Sequence, residues 1–453
     1  MKEYDVIVIG AGVGLSIAFK AQANKMKVAL IDKGNMGGTC VNVGCIPSKM
    51  LIYNADRIAD IKEAGKFGIE AEVKQVNFPA IMDRMKATIE ESRTWMKNEV
   101  ESSEGMDFYN DEARFVDDYT LKVGKQTIKG QKIFIASGAR PLIPLIKGLE
   151  KISYLTNENV INLRERPESM IIIGGGYVGV EYAHFFAALG TKVTVVQRQS
   201  RLLPNEEPEI SEYLRKELSK RMDILTNWET VEVWEKGRLY TVILKNVETG
   251  YEKVLNGTSV LVAAGRVSNA DLLDVHKTEV ETNEAKYIKV DNTLLTNKSN
   301  IWALGDAIGH QMFTHAGDME QRIAWHNATY RKKISFNFGV VPHAVFTRPQ
   351  IAAVGLTEEE ASKSYKILVG RATYSDVVMG DAMMEKESFA KAIVEKKTEK
   401  ILGFHIIGPE AAILIQEVAN AMARGGDVKS ITDNMHIFPA LSEIIPETLN
   451  NLE

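Results

Sequence analysis

Cysteine is almost absent: 453 residues hold two, Cys40 and Cys45. That excludes a disulfide-stapled secreted scaffold. It also excludes a zinc module, because two thiolates with no nearby histidine leave a site half built, so no metal centre is expected. No apolar run reaches the ~20 residues of a membrane span, and no membrane partner is expected. Excess charge is small, −5 at pH 7, and the basic residues are dispersed, so nothing marks a nucleic-acid partner. The start Met1-Lys2-Glu3-Tyr4-Asp5 runs straight into a strand, which predicts no export leader. The expected compartment is the cytoplasm, where thiols are held reduced and a disulfide is a catalytic feature. What is present, 45% hydrophobic and 25% charged residues, is the composition of a globular enzyme of about three domains.

The two cysteines share one run, Gly37-Gly38-Thr39-Cys40-Val41-Asn42-Val43-Gly44-Cys45-Ile46-Pro47-Ser48-Lys49. Five positions apart on a strained helical turn, two sulfurs can meet. A redox pair that opens and closes in turnover is the leading reading. A structural bridge and two unrelated thiols are the alternatives.

Two phosphate-binding turns follow one pattern. Tyr4 to Ile9 reads as a buried strand, Gly10-Ala11-Gly12-Val13-Gly14 as a turn, the stretch to Asn24 as a helix, and Lys27 to Ile31 as a second strand ending in Asp32. Glycines let the backbone approach a pyrophosphate at a helix N-terminus, and an acid about 20 residues on accepts ribose hydroxyls. Leu15 stands where a third small residue packs helix on sheet, which predicts a shifted or shortened helix entry. The pattern recurs: Met170 to Ile173 is a strand, Gly174, Gly176 and Gly179 form the turn with Tyr177 and Glu181 opening the helix, and Thr191 to Val196 is the second strand. Two such units imply two dinucleotides. Here Gln197 and Arg198 replace the acid, which removes repulsion of a 2′-phosphate and leaves both NAD and NADP open, with a lean toward NADPH.

On these motifs the chain resembles the class I pyridine nucleotide-disulfide oxidoreductases, and among them most nearly dihydrolipoamide dehydrogenase. Further marks fall in the family's order: Ala136-Ser137-Gly138-Ala139-Arg140-Pro141, Ala263-Ala264-Gly265-Arg266, Ala303-Leu304-Gly305-Asp306-Ala307 and Val354-Gly355-Leu356-Thr357. The resemblance implies an α/β fold with two Rossmann-like dinucleotide-binding domains, for FAD and NAD(P), and a C-terminal α+β dimerisation domain. The expected boundaries are 1–145 for the first part of the FAD domain, 146–265 for the NAD(P) domain, 266–335 for the second FAD part and 336–453 for the interface. Pro141, Pro144, Pro342 and Pro349 punctuate those junctions; in the last region Lys391 to Val394 and Ile401 to Ile407 read as strands and Ala411 to Arg424 as a helix.

The resemblance also implies roles. FAD is expected at Gly10, Gly12, Gly14, Asp32, Lys33, Gly38, Thr39, Ala113, Ser137, Gly138, Gly305, Asp306, Met312, Phe313, Thr314 and His315. The nicotinamide nucleotide is expected at Gly174, Gly176, Tyr177, Gly179, Gln197, Arg198, Ala264, Gly265 and Arg266. Lys49 and Glu181 are expected to pair beside the flavin, with Cys45 facing it and Cys40 facing a small-molecule or protein-tethered dithiol or disulfide. His343 and His326 carry no motif and read as packing or surface residues.

One element departs from the family. Met435-His436-Ile437-Phe438-Pro439-Ala440-Leu441-Ser442-Glu443 resembles its His-Pro-Thr-x-x-Glu run, but Phe438 stands in place of the histidine base and Ala440 in place of threonine. Glu443 aligns, and His436 is the candidate substitute base. The expected activity is a homodimeric FAD-dependent, dihydrolipoyl dehydrogenase-like exchange of electron pairs between a dithiol and NAD(P). The alternatives are an NAD(P)H-dependent reductase of another disulfide, a quinone or a metal ion, as in mercuric reductase, and a non-catalytic dimeric binding protein on the same fold.

Overall fold

A computed structural model describes residues 1–453. The strand Lys2–Ile9 is apolar on both faces and buried from Val6 to Ile9, as a central parallel strand must be. Val28–Ile31 pairs on one side of it (Val6↔Val28) and Gln126–Ile135 on the other (Ile7↔Ile133). Met106–Tyr109 extends the sheet beyond Val28–Ile31, and the antiparallel strands Thr120–Val123 and Ala113–Asp117 extend it beyond Gln126–Ile135. Ile301–Ala303 returns from far along the chain to pair with Ile133–Ile135, making seven strands.

Between these segments a second parallel sheet forms, in the order Asp223–Thr226, Lys192–Gln197, Ser169–Ile173, Val260–Val262. A meander of Trp228–Lys236, Leu239–Asn246 and Glu252–Gly257 flanks it. The chain leaves the first sheet along Ala139–Pro141 and comes back along Arg266–Ser268, and these two short strands pair antiparallel. The last region is a five-stranded antiparallel sheet in the order His343–Val345, Gln350–Gly355, Ile401–Gly408, Phe389–Glu395, Ile367–Thr373. The helices Ala411–Ala423 and Ile444–Asn450 pack on it through Leu414, Val418, Ile444 and Ile445. The fold is α/β with two Rossmann-like units and an α+β C-terminal domain, as the resemblance implies.

The two glycine turns are built alike but not identically. A Cβ on Gly10 would stand 2.1 Å from the Ala136 carbonyl oxygen, and one on Gly174 would stand 2.2 Å from that of Ala263, so both need glycine. In the second unit the helix Tyr177–Ala188 packs closely through Gly179, where a Cβ would meet the Gly174 oxygen at 2.0 Å. In the first unit the equivalent contact falls on Gly14, one residue earlier relative to its turn, at 2.4 Å from the Gly10 oxygen. Leu15 is thereby released from that role and is buried in the core, and the helix is the short Leu15–Ala23. The shortened entry expected from Leu15 is present, and Gly14 is its cause.

Candidate active site

One cavity of about 2340 Å³ runs between the seven-stranded, four-stranded and five-stranded sheets. Ordinary small-molecule sites occupy ~300–1,000 Å³, so this one has room for more than a single nucleotide. Nearly every expected cofactor residue lines it, from Gly10, Asp32 and Lys33 through Ala113 and Ser137 to Gly174, Tyr177, Gln197, Arg266, Asp306 and the run Met312 to His315. Three do not. Gly14 and Gly179 lie beneath their helices as packing glycines. Arg198 is 78% exposed and faces Glu229 at 3.7 Å, outside the lining.

The ends of the two second strands are closely parallel in design. Asp32 accepts the Ala11 N–H at 2.7 Å and the Gly34 N–H at 2.7 Å, and so holds the first turn. Gln197 does the same for the second turn through its amide oxygen, which accepts the Gly175 N–H at 3.1 Å. Its NH2 group donates to Gln199 and to the Arg201 carbonyl, both at 3.1 Å. A neutral amide performs the turn-holding task of a carboxylate.

The cysteines sit on two helices rather than on one strained turn. Gly38–Val43 ends at Gly44, where a Cβ would press the Thr39 carbonyl at 2.9 Å, and the 19-residue helix Cys45–Glu63 then begins. Cys45 therefore occupies the first turn of a long helix, where unpaired N–H groups favour an anion. Its thiol is drawn down to about 6, first by the hydrogen bond with Cys40, then by Thr314 and the positive charge of Lys49, against the opposing effect of burial. The Thr314 hydroxyl lies 3.2 Å from its sulfur. Cys40 shifts the other way: its hydrogen bond to Cys45 and its burial push the thiol up. Both are free thiols in this structure. One turn along the same helix, Lys49 donates to both oxygens of Glu181 at 2.7 and 2.9 Å. Glu181 is buried in the first half of the helix Tyr177–Ala188 and also accepts the Phe346 N–H at 3.0 Å. The Lys49 ammonium lies 4.6 Å from the Phe346 ring centre.

The family profile described as pyridine nucleotide-disulphide oxidoreductase matches residues 4–330, and its dimerisation-domain profile matches residues 341–449. The chain belongs to this family. It is similar to a mycothione reductase of Mycobacterium tuberculosis, 34% identical over all of both chains. It is also similar to a dihydrolipoyl dehydrogenase of Chlorobaculum parvum, 32% identical over 98% of this chain and 96% of that one. Among solved structures it is similar to the Cu(II) complex of the HOCl-induced flavoprotein disulfide reductase RclA from Escherichia coli, with a TM-score of 0.88, 27% identity and 99% of each chain covered.

Members of this disulfide oxidoreductase family use FAD and NAD(P)H, and the cavity of this chain fits such groups. The Ser137 hydroxyl and the Arg266 Nε are buried along it with no protein partner, as donors reserved for a bound group are. Gly12 and Gly38 approach closely, and a Cβ on Gly38 would stand 2.9 Å from the Gly12 Cα. Arg266 reaches Asp306 at 3.1 Å, and burial raises the Asp306 carboxyl. Behind them Glu320, pushed up to about 7 chiefly by burial, accepts the Gly305 N–H at 2.6 Å.

Three expected residues have partners within this chain. His436, the candidate substitute base, is turned back onto its own subunit: its Nε2 lies 2.9 Å from Glu417 and its Nδ1 3.1 Å from the Asn434 carbonyl. Glu443 accepts the Ala440 N–H at 3.0 Å as a local cap, instead of orienting a histidine. Phe438 is 71% exposed at the tip of that loop. Lys33 lines the cavity mouth but pairs with Glu112 at 3.2 Å. Sequence reading missed His343 and Glu206. His343 is no surface histidine: it lines the cavity and bonds Glu206 at 2.7 Å. Its one sequence signal was position, a histidine directly after Pro342 at the start of the last region.

No helix is long and apolar enough to cross a membrane.

Proposed function

We propose that the chain exchanges electron pairs between NAD(P) and a dithiol–disulfide couple, in the manner of a dihydrolipoyl dehydrogenase, with Cys45 as the flavin-side thiol and Cys40 as the exchanging thiol. The observation that carries this reading is the placement of Cys45 in the first turn of its helix, beside Thr314 and one turn from the Lys49–Glu181 pair. Bound FAD supplies two-electron exchange with both a nicotinamide hydride and a thiol pair. Around it the protein's own work is local. The helix terminus, Cys40, Thr314 and Lys49 hold Cys45 as thiolate near neutral pH, ready to act as leaving group or nucleophile in thiol exchange. Cys40, with its raised affinity for a proton, remains a thiol until its partner sulfur is engaged. Glu181 holds the Lys49 ammonium through both of its oxygens.

The Gln197 amide at the ribose position supports use of NADPH at least as readily as NADH, because no carboxylate stands there to repel a 2′-phosphate. The dimerisation-domain match supports a homodimer. A thiol pair that must reopen each cycle suits a reducing cytoplasm. The test is a substrate panel on the purified flavoprotein: dihydrolipoamide with NAD⁺ or NADP⁺, and disulfides with NADH or NADPH. Bleaching of the flavin by none of these would refute the reading.

A second reading has its own support. Phe438 removes the base that disulfide exchange uses, which favours an acceptor needing no proton from histidine. RclA, which shares the fold, forms a Cu(II) complex. NAD(P)H-driven reduction of Cu(II), lost in the Cys45→Ser variant, would favour this acceptor class over a disulfide.

A further inference from the structure

Two parts of the chain meet on one oxygen atom, and a third packs against them. Tyr177 opens the nicotinamide-unit helix, and its hydroxyl donates to Glu206 Oε1 at 2.8 Å. His343, on the first strand of the C-terminal sheet, reaches the same oxygen from its Nε2 at 2.7 Å. Phe313, from the loop before the helix Thr314–Thr329, stacks on the His343 ring, 5.5 Å away and 6° from parallel, and lies 6.1 Å from the Tyr177 ring. Glu206 is 1% exposed, so this carboxylate has no water to turn to. It also hangs from the glycine turn itself, since its N–H donates to Leu203, whose own N–H donates to Gly175, both at 2.9 Å.

The anchor behind it is a row of side chains across the C-terminal sheet. His343 pairs with Ala353, Ala353 with His405, His405 with Lys391 and Lys391 with Arg371. Residues directly opposite on neighbouring strands share a face, so four basic groups stand in line with a small Ala353 among them. The acidic run of the nicotinamide unit lies against that row. Glu206 takes His343, Glu207 and Glu209 take the fully buried Lys391 at 2.9 and 2.8 Å, and Glu209 takes Arg371 at 2.7 Å. Glu358 adds a third carboxylate to Lys391 at 2.6 Å. A glutamate whose neighbours are held in this way has little freedom to rotate off Tyr177.

We infer that Glu206 and His343 are positioning residues for the nicotinamide: they fix the Tyr177 ring in the cavity wall and so make the C-terminal domain part of nucleotide binding. This rests on the proposed reading that the second glycine turn holds NAD(P). The reaction then divides into a half that depends on the clasp and a half that does not. Exchange of the Cys40–Cys45 pair with a dithiol involves neither residue.

The test uses the holoenzyme and the His343→Ala and Tyr177→Phe variants, with His343→Gln as the conservative control. Affinity for NADP⁺ and NAD⁺ is read by calorimetry, and KM and kcat with the preferred nicotinamide by steady-state kinetics. Flavin bleaching by dithiothreitol is followed without oxygen. His343→Ala and Tyr177→Phe each should weaken nicotinamide binding about tenfold and raise KM in step, the loss of one hydrogen bond to a charged group. Their combination should cost little more than either alone. His343→Gln, which keeps a donor for Glu206, should restore affinity to within about threefold of wild type. In His343→Ala the dithiol bleaching rate should stay within about twofold. Unchanged affinity in either single variant beside tight wild-type binding overturns the inference alone, as does equal slowing of both half-reactions. A wild-type protein that bleaches with dithiol but binds neither nicotinamide overturns the underlying reading as well.

Discussion

Replacing Thr314 with valine isolates one of the forces that make Cys45 a thiolate. The hydrogen bond with Cys40 is the larger force, but removing Cys40 also removes the redox pair. Thr314 comes next, it lies 3.2 Å from the sulfur, and valine keeps its shape. With Cys45 at about 6 instead of 9.0, about 90% of it is thiolate at pH 7, against about 1% for an unperturbed thiol. A hydrogen bond to an anion in a partly solvated site shifts a pKa by about one unit. Thr314→Val should therefore raise the Cys45 midpoint from about 6 to about 7 and leave about half the thiolate at pH 7. The sign is fixed: thiolate is lost as pH falls through the folded value, so a raised value moves the loss to higher pH. The assay is the rate of Cys45 alkylation by iodoacetamide between pH 5 and 9 in dithiol-reduced protein, read on the isolated peptide by mass spectrometry. Cys40, whose thiol is pushed up, contributes little below pH 8. A variant midpoint that coincides with the wild-type value, or lies below it, refutes the account of how this thiol is activated.

Lys49→Met leaves the buried Glu181 without its cation; the temperature of flavin release should fall, and the further change Glu181→Leu should recover part of the loss, as removal of a whole ion pair does. Gly14→Ala drives a methyl to within 2.4 Å of the Gly10 oxygen and should yield protein with little flavin, whereas Gly179→Ala, at 2.0 Å from the Gly174 oxygen, should retain the yellow colour and lose nicotinamide binding; equal flavin content in the two purified proteins would contradict the assignment. Phe438→His should raise dihydrolipoamide turnover by at least tenfold in a steady-state assay, since a placed base is worth on the order of 10²–10⁴. Because His436 is tied to Glu417, His436→Gln should change that rate less than twofold.

Much of this protein is legible without coordinates because its signals are short-range. A glycine turn between an apolar strand and a helix, or two cysteines and a lysine in one short run, is written in adjacent residues, and its meaning survives whatever surrounds it. The fold class, the family and the need for two dinucleotides follow from such runs. The Lys49–Glu181 pair is different: 132 residues separate its members, and the resemblance to a family, not periodicity, put them side by side. Leu15 announced an altered helix entry, yet the repair by Gly14 depends on how near a helix comes to a carbonyl oxygen.

The linear chain by itself determined the two nucleotide units, the redox thiols and the missing histidine before Pro439, since each is a matter of which residue follows which. Only the tertiary structure decided where the lone side chains went. It turned His436 toward Glu417, left Arg198 in solvent beside Glu229, and brought His343, Phe313 and Tyr177 around the buried Glu206 carboxylate. A side chain's charge and shape are known from its name, but its partner is chosen by burial, because a polar group withdrawn from water must find a complementary one wherever the packed elements place it.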